Sequence, residues 1–345
     1  MSPIQGFTRQ RKWQFGKQSV FGTAVVASRR LAWRGTLDIE PNWTDQEDVD
    51  VGSIDPLLPP FRTQLDVAAS GLGGPLTYQD IPLIMASGVR GGVSPTGSGT
   101  AKTWAHESLS LTATELDYHS AEWSDDVTAD GFRARDGVEE SIEFSFEEGL
   151  GPWMVSADWR FGAVAPHVTP TAGLAVGSNL PLVFGADTSL WIDDTSGGIA
   201  STQISDALHS ASVRIENTID QKRFANGSNS RFAIVGYGLS ARKITASFVF
   251  AKTDAIVAAL NSETVDWLNA DPVNRYVRLL SQSQTAASDG VPYSWDQRFS
   301  GTWRTRSDGD LGGNSTVTLE LTGRYDAGLG HAYRSVVVNT LAALP

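Results

Sequence analysis

Residues 142–161, IEFSFEEGLGPWMVSADWRF, and residues 231–250, RFAIVGYGLSARKITASFVF, share one alternating pattern. They align without a gap at an offset of 89 (250 − 161), with Gly149/Gly238, Leu150/Leu239, Ala157/Ala246 and Phe161/Phe250 identical. Val155, Ala157, Trp159 and Phe161 alternate with Met154, Ser156, Asp158 and Arg160, and Ile244, Ala246, Phe248 and Phe250 alternate with Lys243, Thr245, Ser247 and Val249. Strand side chains switch faces at every residue, so a slip of one residue would turn the apolar set to the wrong side. The pattern predicts a duplicated strand-turn-strand unit and a mainly β chain. His119-Ser120-Ala121 and His209-Ser210-Ala211 extend the match upstream, at an offset of 90.

The chain has 345 residues, room for two or three domains with a sizeable core. Hydrophobic residues make up 41% and charged residues 19%, a globular rather than a disordered balance. The net charge of −12 argues against tight nucleic-acid binding, which draws its affinity from cations displacing the counterions of phosphates. With no cysteine there is no disulfide framework, thiolate metal site or Cys nucleophile. Neither a secretory signal nor a membrane-spanning helix is expected.

Charge is segregated near the start. Residues 1–34 carry Arg9, Arg11, Lys12, Lys17, Arg29, Arg30 and Arg34 without an acid, and residues 38–55 carry Asp38, Glu40, Asp45, Glu47, Asp48, Asp50 and Asp55 without a base. Opposite potentials on two surface segments steer association and fix its register, and head-to-tail contacts of that kind close into rings or run on as filaments. The proline-dense Pro56-Leu57-Leu58-Pro59-Pro60 predicts an extended loop whose Leu57 and Leu58 can dock on a partner. We therefore expect inter-subunit assembly at Arg9, Arg11, Lys12, Lys17, Arg29, Arg30, Asp45, Glu47, Asp48, Asp50, Leu57 and Leu58. Strands are predicted around 109–113, 232–235, 276–280, 317–321 and 335–338. Helices are predicted at about 79–87 and 254–261, the second with Thr253 as N-cap. The expected division is a basic arm over 1–35, a first β module over 36–170 with a long loop at 41–65, and a second β module over 171–345.

Motifs that would carry chemistry are absent or incomplete. Gly97-Ser98-Gly99-Thr100-Ala101-Lys102-Thr103 lacks the glycine a phosphate loop needs directly before its lysine. The acidic stretches Asp48–Gly52 and Asp308–Asn314 lack the glutamate that completes a calcium loop, and read as turns. Glu139-Glu140 and Glu147-Glu148 are sequence neighbours, which a strand points to opposite faces, so neither pair clasps a sugar as a glycosidase does. The five histidines show no helical metal spacing, and no nucleophile elbow is present. Trp153 and Trp159 read as core anchors rather than a ligand shelf. Neither an enzyme nor a cofactor is expected.

Several segments resemble the tailed-bacteriophage tail tube proteins of long non-contractile tails: Gly16–Val25, Asn42-Trp43-Thr44-Asp45, Val51–Pro56, Thr77–Pro82, and the ending from Gly323-Arg324-Tyr325-Asp326 to Val336–Asn339. The resemblance implies β-sandwich or barrel modules with a short flanking helix, a terminal arm and a long loop. It also implies a virion protein made in the host cytoplasm, with rings that stack into a conduit for DNA. By the same resemblance, the partners are other copies of the chain, a tape measure protein, and tail terminator or distal tail proteins. DNA would pass without specific binding, and no membrane is involved. Family members usually carry one module in a six-fold ring, so two modules per chain imply a trimeric, pseudo-six-fold ring. The alternatives are another tail or baseplate ring component, or a carbohydrate-binding β-sandwich protein that uses its tryptophans.

Overall fold

The computed structural model describes residues 11–44, 61–108, 115–125, 130–148, 151–176, 180–223, 234–254, 257, 274–288 and 290–345. The protein is mainly β. Its strands are β1 Lys12–Lys17, β2 Arg29–Leu31, β3 Arg34–Thr44, β4 Phe61–Pro75, β5 Lys102–Glu107, β6 His119–Ser124, β7 Phe132–Phe146, β8 Met154–Phe161, β9 Ala163–Pro166, β10 Thr188–Asp193, β11 Gln203–Ile204, β12 Leu208–Lys222, β13 Gly236–Ala251, β14 Arg275–Ser288, β15 Val291–Leu311, β16 Asn314–Gly323 and β17 Tyr333–Asn339. Among the described residues one unbroken helix, α1, covers Ile81–Gly88, close to the predicted span, and Asp254 and Val257 are also helical. Pro82 sits in its first turn, where the missing N–H costs nothing. Every residue of α1 is buried. Of the helix predicted at 254–261, only Asp254 and Val257 lie among the described residues, as does none of the strand predicted at 109–113.

The ladders repeat. The first half contains the antiparallel pairs β1·β2, β1·β6, β6·β7, β7·β9, β7·β8, β4·β8 and β3·β4. The second half contains β10·β11, β10·β14, β14·β15, β15·β17, β15·β16, β13·β16 and β12·β13 in the same arrangement. Even an irregularity is shared: β7 slips one residue against β8 between Glu139 and Ser141, and β15 slips against β16 between Trp303 and Thr305. Glu139 opposite Trp159 therefore corresponds to Trp303 opposite Leu321, a shift of 164 along the long strand (303 − 139) and 162 along its partner (321 − 159). Likewise Leu37 opposite Ala69 corresponds to Val213 opposite Ala246, a shift of 176 along the first strand (213 − 37).

This corrects the sequence reading. The stretch containing β8 was matched to the stretch containing β13, but the ladders match β8 to β16 and β13 to β4. His119, on β6, and His209, on β12, are likewise not equivalent.

In each module one long strand serves two sheets. β7 pairs with β6 and β9 through its first half and with β8 through its second. β15 does the same with β14, β17 and β16. A strand that bends out of one sheet into another makes the corner of a sandwich. Gly137 and Gly301 stand at these corners. A Cβ on Gly137 would strike the Phe161 ring and His119 O, and one on Gly301 would strike Thr322 O and Leu321. The core fills the space between sheets: Phe15 of β1 lies 5.0 Å from the Trp159 ring of β8, and Phe248 of β13 lies 6.1 Å from Trp303.

β1 is thus a core strand, with Trp13 and Phe15 fully buried. The arm expected over 1–35 is, from residue 12 on, part of the first sandwich, and residues 1–10 lie outside the described residues. The halves are joined at two ladders, β7·β12 and β5·β17.

Candidate assembly surface

Following the ladders from β3 gives one continuous row: β3, β4, β8, β7, β12, β13, β16, β15. One face of this row is core, carrying Val67, Ile142, Phe144, Val155, Ala157, Val213, Ile215, Ala246, Phe248 and Leu319. The period of two sends the intervening residues to the other face, which is polar. Glu143, Ser212, Arg214, Thr245, Glu320 and Thr322 line one groove on it. Along this face Asp38, Glu40, Asp66, Glu140, Glu143, Asp158, Glu216, Asp220 and Glu320 stand against Arg34, Arg160, Arg214, Lys222, Arg223, Lys243 and Arg304, a small acidic excess.

The modules meet head to tail. The last strand of the first module's row, β7, pairs with the first strand of the second's, β12, from Ser141↔Glu216 to Phe146↔Ala211. On the polar face Arg214 Nη1 lies 3.7 Å from Glu143 Oε2. Beneath it the seam is tied by buried groups. Asn217 Nδ2 donates to Gly88 O at 2.8 Å and to Glu139 O at 3.0 Å, and Arg242 Nε donates to Asn217 Oδ1 at 2.8 Å. Burial pushes the Arg242 guanidinium down to about 10. Among the described residues, β3 pairs with β4 alone and the 302–311 stretch of β15 with β16 alone. Among the described residues the row therefore has two open ends.

Among the residues expected to mediate assembly, Arg9, Asp45, Glu47, Asp48, Asp50, Leu57 and Leu58 lie outside the described residues. Lys17 and Arg29 are engaged inside their own module. Lys17 Nζ lies 2.7 Å from Asp117, and the Arg29 guanidinium pairs with buried Asp80. The Arg11 guanidinium lies 6.0 Å from the Trp123 ring centre. Lys12 and Arg30 sit on strands opposite Ser124 and Gln14. All five lie on or beside β1 and β2, which pair with each other, and Lys17 and Arg29 are turned to partners within the module. The sequence does not reveal the strand edges or the seam: Asp38 and Glu40 stand out there only as members of the acidic run, Asp308 and Gly309 as part of a turn, and Glu139 as one of two neighbouring carboxylates.

Asp48–Gly52 lies outside the described residues, and the other segments that resemble chemical motifs have structural partners. Lys102 Nζ donates to Gly97 O within its own loop. Asp310 caps the turn at Gly312 and Gly313, both at positive φ, and Asp308 pairs with Lys252. Glu140 pairs with Arg160, while Glu139 is buried against α1, where desolvation raises its carboxyl well above the usual range. Trp153 and Trp159 are both core residues. Among the described residues, no group of three or more His, Asp and Glu side chains is placed to hold a metal ion, and no helix is long and apolar enough to cross a membrane.

Compared with protein-family models and with curated proteins, the chain matches none.

Proposed function

We propose that this chain is a structural protein that assembles into rings, and that the rings stack into a tail tube through which phage DNA passes. The observation that carries the reading is the internal duplication of the ladders. One chain contains two modules of the same pairing order, already joined edge to edge, with the row open at both ends among the described residues. A contact between different edges of one building block is heterologous, and it closes into a ring when its rotation allows. Three chains supply six modules, which gives a trimer with pseudo-six-fold symmetry.

The polar face fits the same reading. Duplex DNA carries about one negative charge per 1.7 Å of its axis. A channel wall with an acidic excess repels the duplex and lets it slide, whereas a basic wall would hold it.

The test is mass measurement and negative-stain microscopy of the purified protein at rising concentration. Trimeric rings and tubes with a central channel are expected. Closed rings that never stack would move the reading to another tail or baseplate ring component, six chains per ring would overturn the stoichiometry, and monomers at every concentration would overturn the proposal.

A further inference from the structure

The seam inside the chain is a template for the seam between chains. Resting on the ring-forming reading above, we infer that residues 305–309 of β15 pair antiparallel with residues 36–40 of β3 in a second copy of this chain, in the register of the β7·β12 ladder.

The register follows by transfer. In the internal seam Ser141, Ile142, Glu143, Phe144 and Ser145 face Glu216, Ile215, Arg214, Val213 and Ser212. Moving the β7 residues on by 164 gives Thr305, Arg306, Ser307, Asp308 and Gly309. Moving the β12 residues back by 176 gives Glu40, Ile39, Asp38, Leu37 and Thr36. Thr305 thus faces Glu40, Ser307 faces Asp38, and Gly309 faces Thr36, all on the polar face. Arg306 faces Ile39 and Asp308 faces Leu37 on the other.

Burial supplies an independent sign that a strand belongs beside β3. Val213 and Ile215 of β12, flanked on both sides, are 0% exposed. Their equivalents Leu37 and Ile39 are only partly buried, although they pack on the same core. An open strand edge is a template for pairing, and natural proteins block edges that are not meant to be used. The 36–40 stretch carries neither proline nor lysine, Pro41 marks where the free edge ends, and Thr36, Asp38 and Glu40 are exposed on its polar face. On β15, Thr305, Ser307 and Gly309 are exposed too. Backbone pairing supplies the adhesion and the alternate side chains the register, as in other strand additions.

The partner is a second copy because its edge has the strand spacing and register that the internal seam already uses. The new seam is not a repeat of the old in its charges. The Glu143–Arg214 pair becomes Ser307 with Asp38, so a hydroxyl stands opposite the carboxylate where the internal seam has an ion pair.

The chain has no cysteine, which makes disulfide trapping clean. The double variant Asp38→Cys/Ser307→Cys places two thiols directly across the seam, within the Cα separation of about 4.4–6.8 Å that a disulfide spans. The control Asp38→Cys/Asp308→Cys is one residue out of register and on opposite faces. Mild oxidation followed by non-reducing electrophoresis should give linked dimers and larger closed species for the first variant only, all returning to monomer with reductant. Comparable linking of the control would overturn the register. Rings seen by mass measurement without a 38–307 link would overturn the seam and leave the ring reading standing. Monomers at every concentration, without a link, would overturn both.

Discussion

Asn217 of the second module donates its side-chain N–H to the carbonyl of Gly88, the last residue of the first module's helix, at 2.8 Å. Asn217 is 3% exposed, so removing its amide takes a donor from the buried Glu139 carbonyl and the acceptor from Arg242 Nε, while Gly88 O keeps Arg242 Nη2 at 3.3 Å. Loss of a buried partner costs about 1–3 kcal/mol. The visible ion pair of the same seam, Arg214 with Glu143, joins side chains 48% and 41% exposed, and such pairs contribute about 0–1 kcal/mol. Asn217→Ala should therefore destabilise the protein more than Arg214→Ala, by about 1 kcal/mol or more in urea denaturation. The reverse ranking would mean that surface charge, not the buried amide, holds the modules together.

The corner glycines make a second prediction. A methyl at Gly137 or Gly301 meets packed atoms of the neighbouring strand, and overpacking of this kind costs about 1–3 kcal/mol. Gly236, where a Cβ would meet nothing, is the matched control. Gly137→Ala and Gly301→Ala should each lower the denaturation midpoint clearly, while Gly236→Ala leaves it within experimental error. If only one corner is sensitive, the two bends are not under the same constraint.

Buried titratable groups set a pH dependence with two opposing parts. Burial pushes the His106 and His119 imidazoles down to about 4, and lowers His331 as well. Unfolded histidines bind protons below about 6.5. The folded state then holds fewer protons than the unfolded one, and stability falls as pH drops from about 6.5 towards 4. Each of the first two shifts is on the order of 3 kcal/mol. Glu139 acts in the opposite sense. Its folded carboxyl is raised by burial, so the folded state keeps a proton that the unfolded state releases, and stability falls as pH rises past the ordinary glutamate value. Glu139→Gln removes this second part. It should raise stability at pH 7 and steepen the rise between pH 5 and 6.5, read from urea midpoints at each pH. An unchanged slope would show that Glu139 does not titrate differently on folding.

Strand character was legible because alternation is local: Val155 to Phe161 and Val317 to Leu321 announce their buried face in the sequence itself. Which strands are equivalent was not, because a period of two holds no other information. Any two core-facing strands align at every shift that superimposes their apolar sets, and β8 aligned with β13 when its counterpart is β16. The duplication is also chemically worn. Phe144, buried with its ring 5.1 Å from Trp295, corresponds to Asp308 on an exposed stretch of strand, so no sequence window shows the two as the same position. β1 was misread for a different reason: Arg11, Lys12 and Lys17 bracket Trp13 and Phe15, and net charge hid a short core strand whose cations sit at its ends. The open edges of β3 and β15 were beyond reach, since an edge is defined by the neighbour a strand lacks, and neighbours here are set by pairings far apart in sequence.

The acidic excess on the polar face gives the last prediction. Glu143 and Glu320 line the same groove as Arg214, and Glu320 Oε2 accepts from Thr305 Oγ1 at 2.7 Å on the exposed surface. Both positions are on paired strands of the row, so changing them alters the field of the face without opening the core. Glu143→Lys/Glu320→Lys turns two repulsive charges into two attractive ones per chain. Binding through phosphate contacts falls with salt at a slope of about 0.9 per contact in log–log form. The assembled wild type should show little retention of a duplex of defined length at 50 mM salt. The variant should retain it, and lose it by 200 mM. Filter binding or fluorescence anisotropy at the two salt concentrations measures this, with the oligomer mass checked in parallel. Equal retention by both proteins, with assembly intact, would mean that this face does not line the path of DNA.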